Sequence, residues 1–141
     1  MAQMLNNLGN VAADRGDLAR AEQLFQQALA ICEKLAPNSL DVASTLHNLG
    51  SVAANRGDLA RAEQLFQQAL AIREKLAPNS LQVADTLTTL GNVAYSRGDL
   101  ARAEQLYQQA LAIYEKLAPN SLDVAGTLHN LGNVEIGRAH V

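Results

Sequence analysis

Apolar positions along the chain recur at spacings of three and four. Val42, Leu46, Leu49 and Ala53 make one such stripe, the pattern of an amphipathic helix with one buried side. Leu59, Ala62, Leu65, Phe66, Ala69, Leu70, Ile72 and Leu76 make the next. Between them stands Arg56-Gly57-Asp58. The arginine suits the negative end of a helix, the glycine can turn left-handed, and the aspartate can cap the next helix. Pro37 has no N–H to continue a preceding helix, so Asn38 or Ser39 opens the first stripe, with Asp41 near its positive end. The link over 55–58 is short, which makes the two helices antiparallel neighbours. Gly50, Ala62 and Ala69 are small and are expected where the two backbones approach closely.

The same pattern is written three times. Asn10–Gly50, Ser51–Gly91 and Asn92–Gly132 align without a gap, each one full period of the repeat. It predicts seven helices: Met1–Asp14, Asp17–Leu35, Ser39–Asn55, Asp58–Leu76, Ser80–Ser96, Asp99–Leu117 and Ser121–Ile136. A repeat of this length marks a stacked array rather than a single closed core. The fold class is all-α, an α-solenoid of antiparallel helix pairs. The array covers residues 1–135, as a partial first helix, the three repeats and the start of a further one.

The run Asn48-Leu49-Gly50, then Arg56-Gly57-Asp58-Leu59-Ala60-Arg61-Ala62-Glu63, then Phe66-Gln67-Gln68-Ala69-Leu70 resembles a tetratricopeptide repeat (TPR). The resemblance recurs in all three copies and implies a right-handed superhelix. The usual period is about 34 residues. The longer period here, with Glu-Lys-Leu-Ala-Pro-Asn-Ser-Leu before each first helix, is similar to the repeats of kinesin light chains and of many bacterial TPR proteins. One departure is Ala12, Ala53 and Ala94, which stand where the family often has an aromatic side chain.

Comparing the copies with one another separates two faces. Nine columns differ, represented in the first copy by Asn10, Ala13, Asp14, Phe25, Cys32, Asp41, Ser44, His47 and Asn48. All but Phe25 and Cys32 lie on the first helix of a pair. On one such helix they are Asp41, Ser44, His47, Asn48, Ser51, Ala54 and Asn55, within an arc of roughly 140°. Val42, Ala43, Thr45, Leu46, Leu49, Gly50, Val52 and Ala53 never change and fill the other arc. In TPR proteins the first helix of each pair lines the groove that holds the partner. The resemblance therefore implies partner contacts at Asn6, Asn7 and Asn10, flanked by Gln3, Ala13 and Asp14. It implies the same for Ser44, His47, Asn48, Ser51 and Asn55, with Ala54, and for Asp85, Thr88, Thr89, Asn92 and Tyr95, with Ser96. His129, Asn130 and Asn133 complete the set. Asparagine donates and accepts at once, which suits the backbone of an extended peptide. Related arrays that grip a C-terminal carboxylate use Lys and Arg there; this set has none.

Composition narrows the function further. The net charge is −3 with no basic block, which argues against a nucleic-acid groove. No apolar run approaches the roughly 20 residues of a bilayer span, and the start lacks the basic and apolar segments of a secretion signal, so a cytoplasmic protein is the default. Cys32 is the only cysteine; it excludes an internal disulfide and reads as a partly exposed thiol in a permissive column with Arg73 and Tyr114. No metal or cofactor site is expected: His47 and His129 are two repeats apart, too far for one ion. Glu22, Glu63 and Glu104 read as a solvated face beside Arg20, Arg61 and Arg102. No acid, base or nucleophile constellation points to an enzyme.

The expected function is a protein-interaction scaffold that binds an extended or helical segment of a partner protein. The alternatives are a regulatory array of a larger bacterial signalling protein and a structural spacer. Met1 aligns with Val42, inside a first helix, and register breaks after Val134. Residues 136–141 read like a translated sequencing adapter (ATC GGA AGA GCA CAC GTC), so they are expected to be a non-repeat artefact on a fragment of a longer array. Ends without capping repeats expose apolar surface and invite self-association.

Overall fold

The computed structural model describes residues 1–140; Val141, the last residue of the expected tail, lies outside them. Seven α-helices follow one another: α1 (Ala2–Asp14), α2 (Leu18–Leu35), α3 (Leu40–Asn55), α4 (Leu59–Leu76), α5 (Leu81–Ser96), α6 (Leu100–Leu117) and α7 (Leu122–Ala139). They group into two compact units, Met1–Leu76 with α1–α4 and Ala77–Val141 with α5–α7.

The turns stop and start the helices as their residues dictate. Gly16, Gly57 and Gly98 take positive φ of 81°, 85° and 82°, the left-handed step that ends a helix. After α3, the Gly57 N–H donates to the Ala54 carbonyl at 3.0 Å and the Asp58 N–H reaches back to Ala53 at 2.9 Å. This pair of bonds is a Schellman cap. Asp58 then turns its side chain forward and accepts from the Arg61 N–H at 3.2 Å, as Asp17 and Asp99 do for α2 and α6. One residue thus closes a helix with its backbone and opens the next with its carboxylate. At the longer link, Ser39 is the cap, accepting from the Val42 N–H at 3.2 Å. Asn38 instead turns the chain at φ 56°.

Burial falls on one arc of α3. The buried residues of α3 are Val42, Ala43, Thr45, Leu46, Leu49, Gly50, Val52 and Ala53, every one an unchanging position. The same columns are buried in α5. Thr45, Thr86 and Thr127 are buried too, and each satisfies its hydroxyl on the carbonyl four residues earlier. Gly50 is small for a different reason from the one expected. A Cβ there would lie 2.7 Å from Cε1 of Phe66, so it makes room for a ring, not for a backbone. Gly9 stands in the same relation to Phe25, and Gly91 to Tyr107.

Three other expectations are corrected. Cys32 is buried, 7% exposed, on the side of α2 that shares a depression with Gln3, Asn6 and Asn7 of α1. Glu22 pairs with Arg56, at the end of α3, at 2.6 Å, and Glu104 pairs with Arg138. Such exposed pairs between helices contribute little to stability. Helix α7 does not stop at Ile136 but runs on to Ala139. Ala139 stands one repeat after Gly98, and without a glycine there is no left-handed stop. Arg138 falls in register with Arg56 and makes the equivalent ion pair.

Candidate binding face

None of the variable first-helix positions of α3 is buried: Asp41, Ser44 and Asn55 are exposed, and His47, Asn48, Ser51 and Ala54 are half-buried. In the first unit, α1 and α3 bring part of the expected set together. Asn6, Asn7 and Asn10 face Ser44 and Asn48 across a depression of about 260 Å³, which Gln3, Asp41 and Cys32 also line. Some of these groups are already engaged. Gln3 donates to the Asn7 side-chain oxygen at 3.1 Å, and Asn6 donates to the Thr45 hydroxyl at 3.1 Å. His47 tilts against Phe66, ring centroids 4.9 Å apart, which gives it a packing role. Ser51 and Asn55 lie outside the depression.

The second unit repeats the arrangement with larger side chains. Asn92, Tyr95 and Ser96 of α5 meet Asn130 and Asn133 of α7 around a depression of about 220 Å³. Tyr107 of α6 also lines it and donates its hydroxyl to Asn92 Oδ1 at 2.5 Å. Burial, and then the neighbouring Tyr95, push the Tyr107 phenol up to about 12. Tyr114 donates to the Asp85 carboxylate. Its phenol is raised above the usual 10, first by burial and then by that bond. Thr88 and Thr89 turn their hydroxyl protons back onto the Ala84 and Asp85 carbonyls at 3.0 and 2.9 Å. Asp85, Thr88, Thr89 and His129 stand outside this depression, and His129 is exposed.

Second helices therefore contribute to this face, which a helix-by-helix reading misses. Cys32 lines the first depression, Arg73 donates to Ser44 Oγ at 3.4 Å, and Tyr114 bonds Asp85. The signal is present in the repeat: the Phe25 and Cys32 columns are the two variable columns that do not lie on first helices. A separate cleft of about 590 Å³ in the first unit has no counterpart among the sequence expectations. Leu29 and Gln26 of α2 and Leu65 and Ile72 of α4 wall it, above Val42, Leu46 and Leu49.

Among the described residues there is no group of three His, Cys, Asp or Glu able to hold a metal ion. No helix among them is long and apolar enough to cross a membrane.

The geometry has close parallels in solved structures. BtubC (BKLC) from P. vanneervenii superposes with a TM-score of 0.92 at 26% identity, over 98% of this chain and 56% of its own. A putative kinesin light chain from Podosopora anserina, with nearly identical TPR-like repeats, gives 0.85 at 21% identity, over 97% of this chain and 66% of its own. A point variant of that protein gives 0.85 at 20% identity, with the same coverage. The chain thus spans 56% to 66% of the length of these neighbours. No curated protein matches it significantly. The tetratricopeptide repeat pattern matches residues 1–75, 50–116 and 82–139. Together with the Schellman-capped helix pairs and the glycine–aromatic contacts, that match makes the chain a member of the tetratricopeptide repeat family, with the TPR-like solenoid fold of its structural neighbours.

Proposed function

We propose that this chain is a non-enzymatic, cytoplasmic scaffold whose variable first-helix faces bind an extended or helical segment of a partner protein. Tetratricopeptide repeats generally mediate protein–protein interaction, which supports the class of function. The observation that carries the proposal for this chain is the separation of the two arcs: every buried position of α3 is invariant and every variable one reaches solvent. Each unit presents its own strip of amides and hydroxyls, Asn6, Asn7, Asn10, Ser44 and Asn48 in one and Asn92, Tyr95, Asn130 and Asn133 in the other. Carboxamides offer both a donor and an acceptor to a peptide backbone. A tyrosine beside them adds a flat apolar anchor with a polar tip.

The test uses an array of extended and helical peptides, with the wild type and the Asn48→Ala, Asn130→Ala double variant. The proposal expects saturable binding that the double variant weakens at unchanged melting temperature. Saturable binding indifferent to both substitutions places the site elsewhere. No binding at all favours a structural spacer.

A further inference from the structure

We infer that buried Tyr107 of α6 is a specificity-determining residue, a role that rests on the partner-binding reading above. It holds Asn92 as a hydrogen-bond donor, so that the second unit selects a partner side chain ending in a neutral carboxamide. Tyr107 stands out within the repeat. Phe25 and Phe66 fill its column in the other copies, and all three rings are fully buried. Drift is tolerated where water meets the chain, not at a ring packed against Gly91. A hydroxyl added there must find a partner. It finds a variable first-helix residue, donating to Asn92 Oδ1 at 2.5 Å. The other variable second-helix column makes the same kind of link. Buried Arg73 donates to exposed Ser44, and buried Tyr114 donates to exposed Asp85. Each buried donor ends on an exposed first-helix residue of its own helix pair.

The direction of the Tyr107 bond fixes what Asn92 offers. A carboxamide presents either an acceptor or a donor by turning over. Once the Asn92 oxygen receives the phenol proton, its NH2 group is what remains for a partner. Burial keeps that proton in place, with the phenol pushed up to about 12, so the sense holds at neutral pH. In the first unit Phe25 has no hydroxyl to give, and Asn10, the counterpart of Asn92, is not held in one sense by it. Asn92 shares its depression of about 220 Å³ with Tyr95, Ser96, Asn130 and Asn133. None of the described residues lining it is charged. A cationic side chain there meets a donor and gains no counter-ion. A carboxylate gives up hydration with no cation to replace it. A carboxamide costs less to desolvate, accepts from Asn92, and donates to an oxygen of Asn130 or Asn133.

The probe is the tightest-binding peptide of the extended and helical array whose affinity falls on Asn133→Ala. It is remade with Gln, Glu or Lys at each position in turn, and each version is titrated by fluorescence anisotropy. The proteins are the wild type and Tyr107→Phe, a change to the residue that already fills the column twice; circular dichroism checks its fold. At one peptide position the wild type is expected to prefer Gln to both Glu and Lys. Tyr107→Phe frees Asn92 to turn its oxygen outward, and the preference for Gln over Lys is expected to shrink about fivefold, the worth of one hydrogen bond. A preference for Glu or Lys in the wild type overturns the inference. So does a loss of affinity on Tyr107→Phe that is equal for all three peptides, the mark of a merely structural role. Either result leaves the scaffold reading standing. Peptides that bind but ignore Asn133→Ala overturn the inference alone, whereas no saturable binding of any peptide overturns both.

Discussion

Replacing Gly50 and Gly132 by alanine, one at a time, has opposite consequences although the two occupy the same column of the repeat. Alanine in a helix interior is worth up to about 1 kcal/mol over glycine, from backbone entropy. At Gly132 nothing opposes that gain, since a Cβ meets no atom within 4 Å. At Gly50 the new Cβ falls 2.7 to 3.0 Å from three carbons of the Phe66 ring. Phe66 is fully buried between its neighbours, so the ring cannot swing out and the helices must part. Overpacking of this kind costs about 1–3 kcal/mol, which outweighs the propensity gain. Subtracting the two variants cancels propensity and leaves the clash, so the Gly50→Ala midpoint lies below that of Gly132→Ala by about 1–3 kcal/mol. For a chain of this size that is on the order of 4 °C per kcal/mol in Tm. Urea unfolding followed by circular dichroism measures it. Adding Phe66→Leu to Gly50→Ala shrinks the clash, giving a coupling energy of opposite sign to the single costs. Equal shifts for the two alanine variants would refute the ring-in-notch packing.

Two further outcomes come from the caps and the phenols. Ser39→Ala removes the acceptor for the Val42 N–H and lowers the urea midpoint by about 1 kcal/mol of stability, whereas Asn38→Gly, at positive φ, is tolerated. The Tyr107 phenol is held protonated to about 12 in the folded chain, while the unfolded chain releases that proton near 10. The unfolded state therefore binds fewer protons between those values, and stability falls as pH rises through that window. Tyr107→Phe loses the bond to Asn92 at every pH, but its deficit relative to wild type narrows between about pH 10 and 12; a constant deficit in paired urea melts contradicts the raised pKa.

Much of the fold is legible because local signals agree with one another. The Arg-Gly-Asp turn and Ser39 state where helices stop and start, and three copies repeat the statement. The invariant first-helix columns also name the core without a coordinate. The features that escape the sequence depend on contacts between helices. The places of Cys32, Arg73 and Tyr114, each on its own second helix, do not reveal that each turns toward the preceding first helix. The partner of Glu22 likewise stands at the end of a different helix, beyond any helical period. The length of α7 departs from expectation for a local reason, the missing glycine at residue 139. The cleft between α2 and α4 is lined by residues of three helices, α2, α3 and α4, which no single stripe encodes.

The central claim is that partners are held by the variable first-helix faces. The most direct measurement is backbone and side-chain amide chemical-shift mapping of the labelled chain, titrated with a peptide selected from a displayed library. Perturbations concentrated at Asn6, Asn10 and Asn48 or at Asn92, Asn130 and Asn133 are the predicted result. Perturbations confined to Leu29, Leu65 and Ile72, around the cleft between α2 and α4, would contradict it.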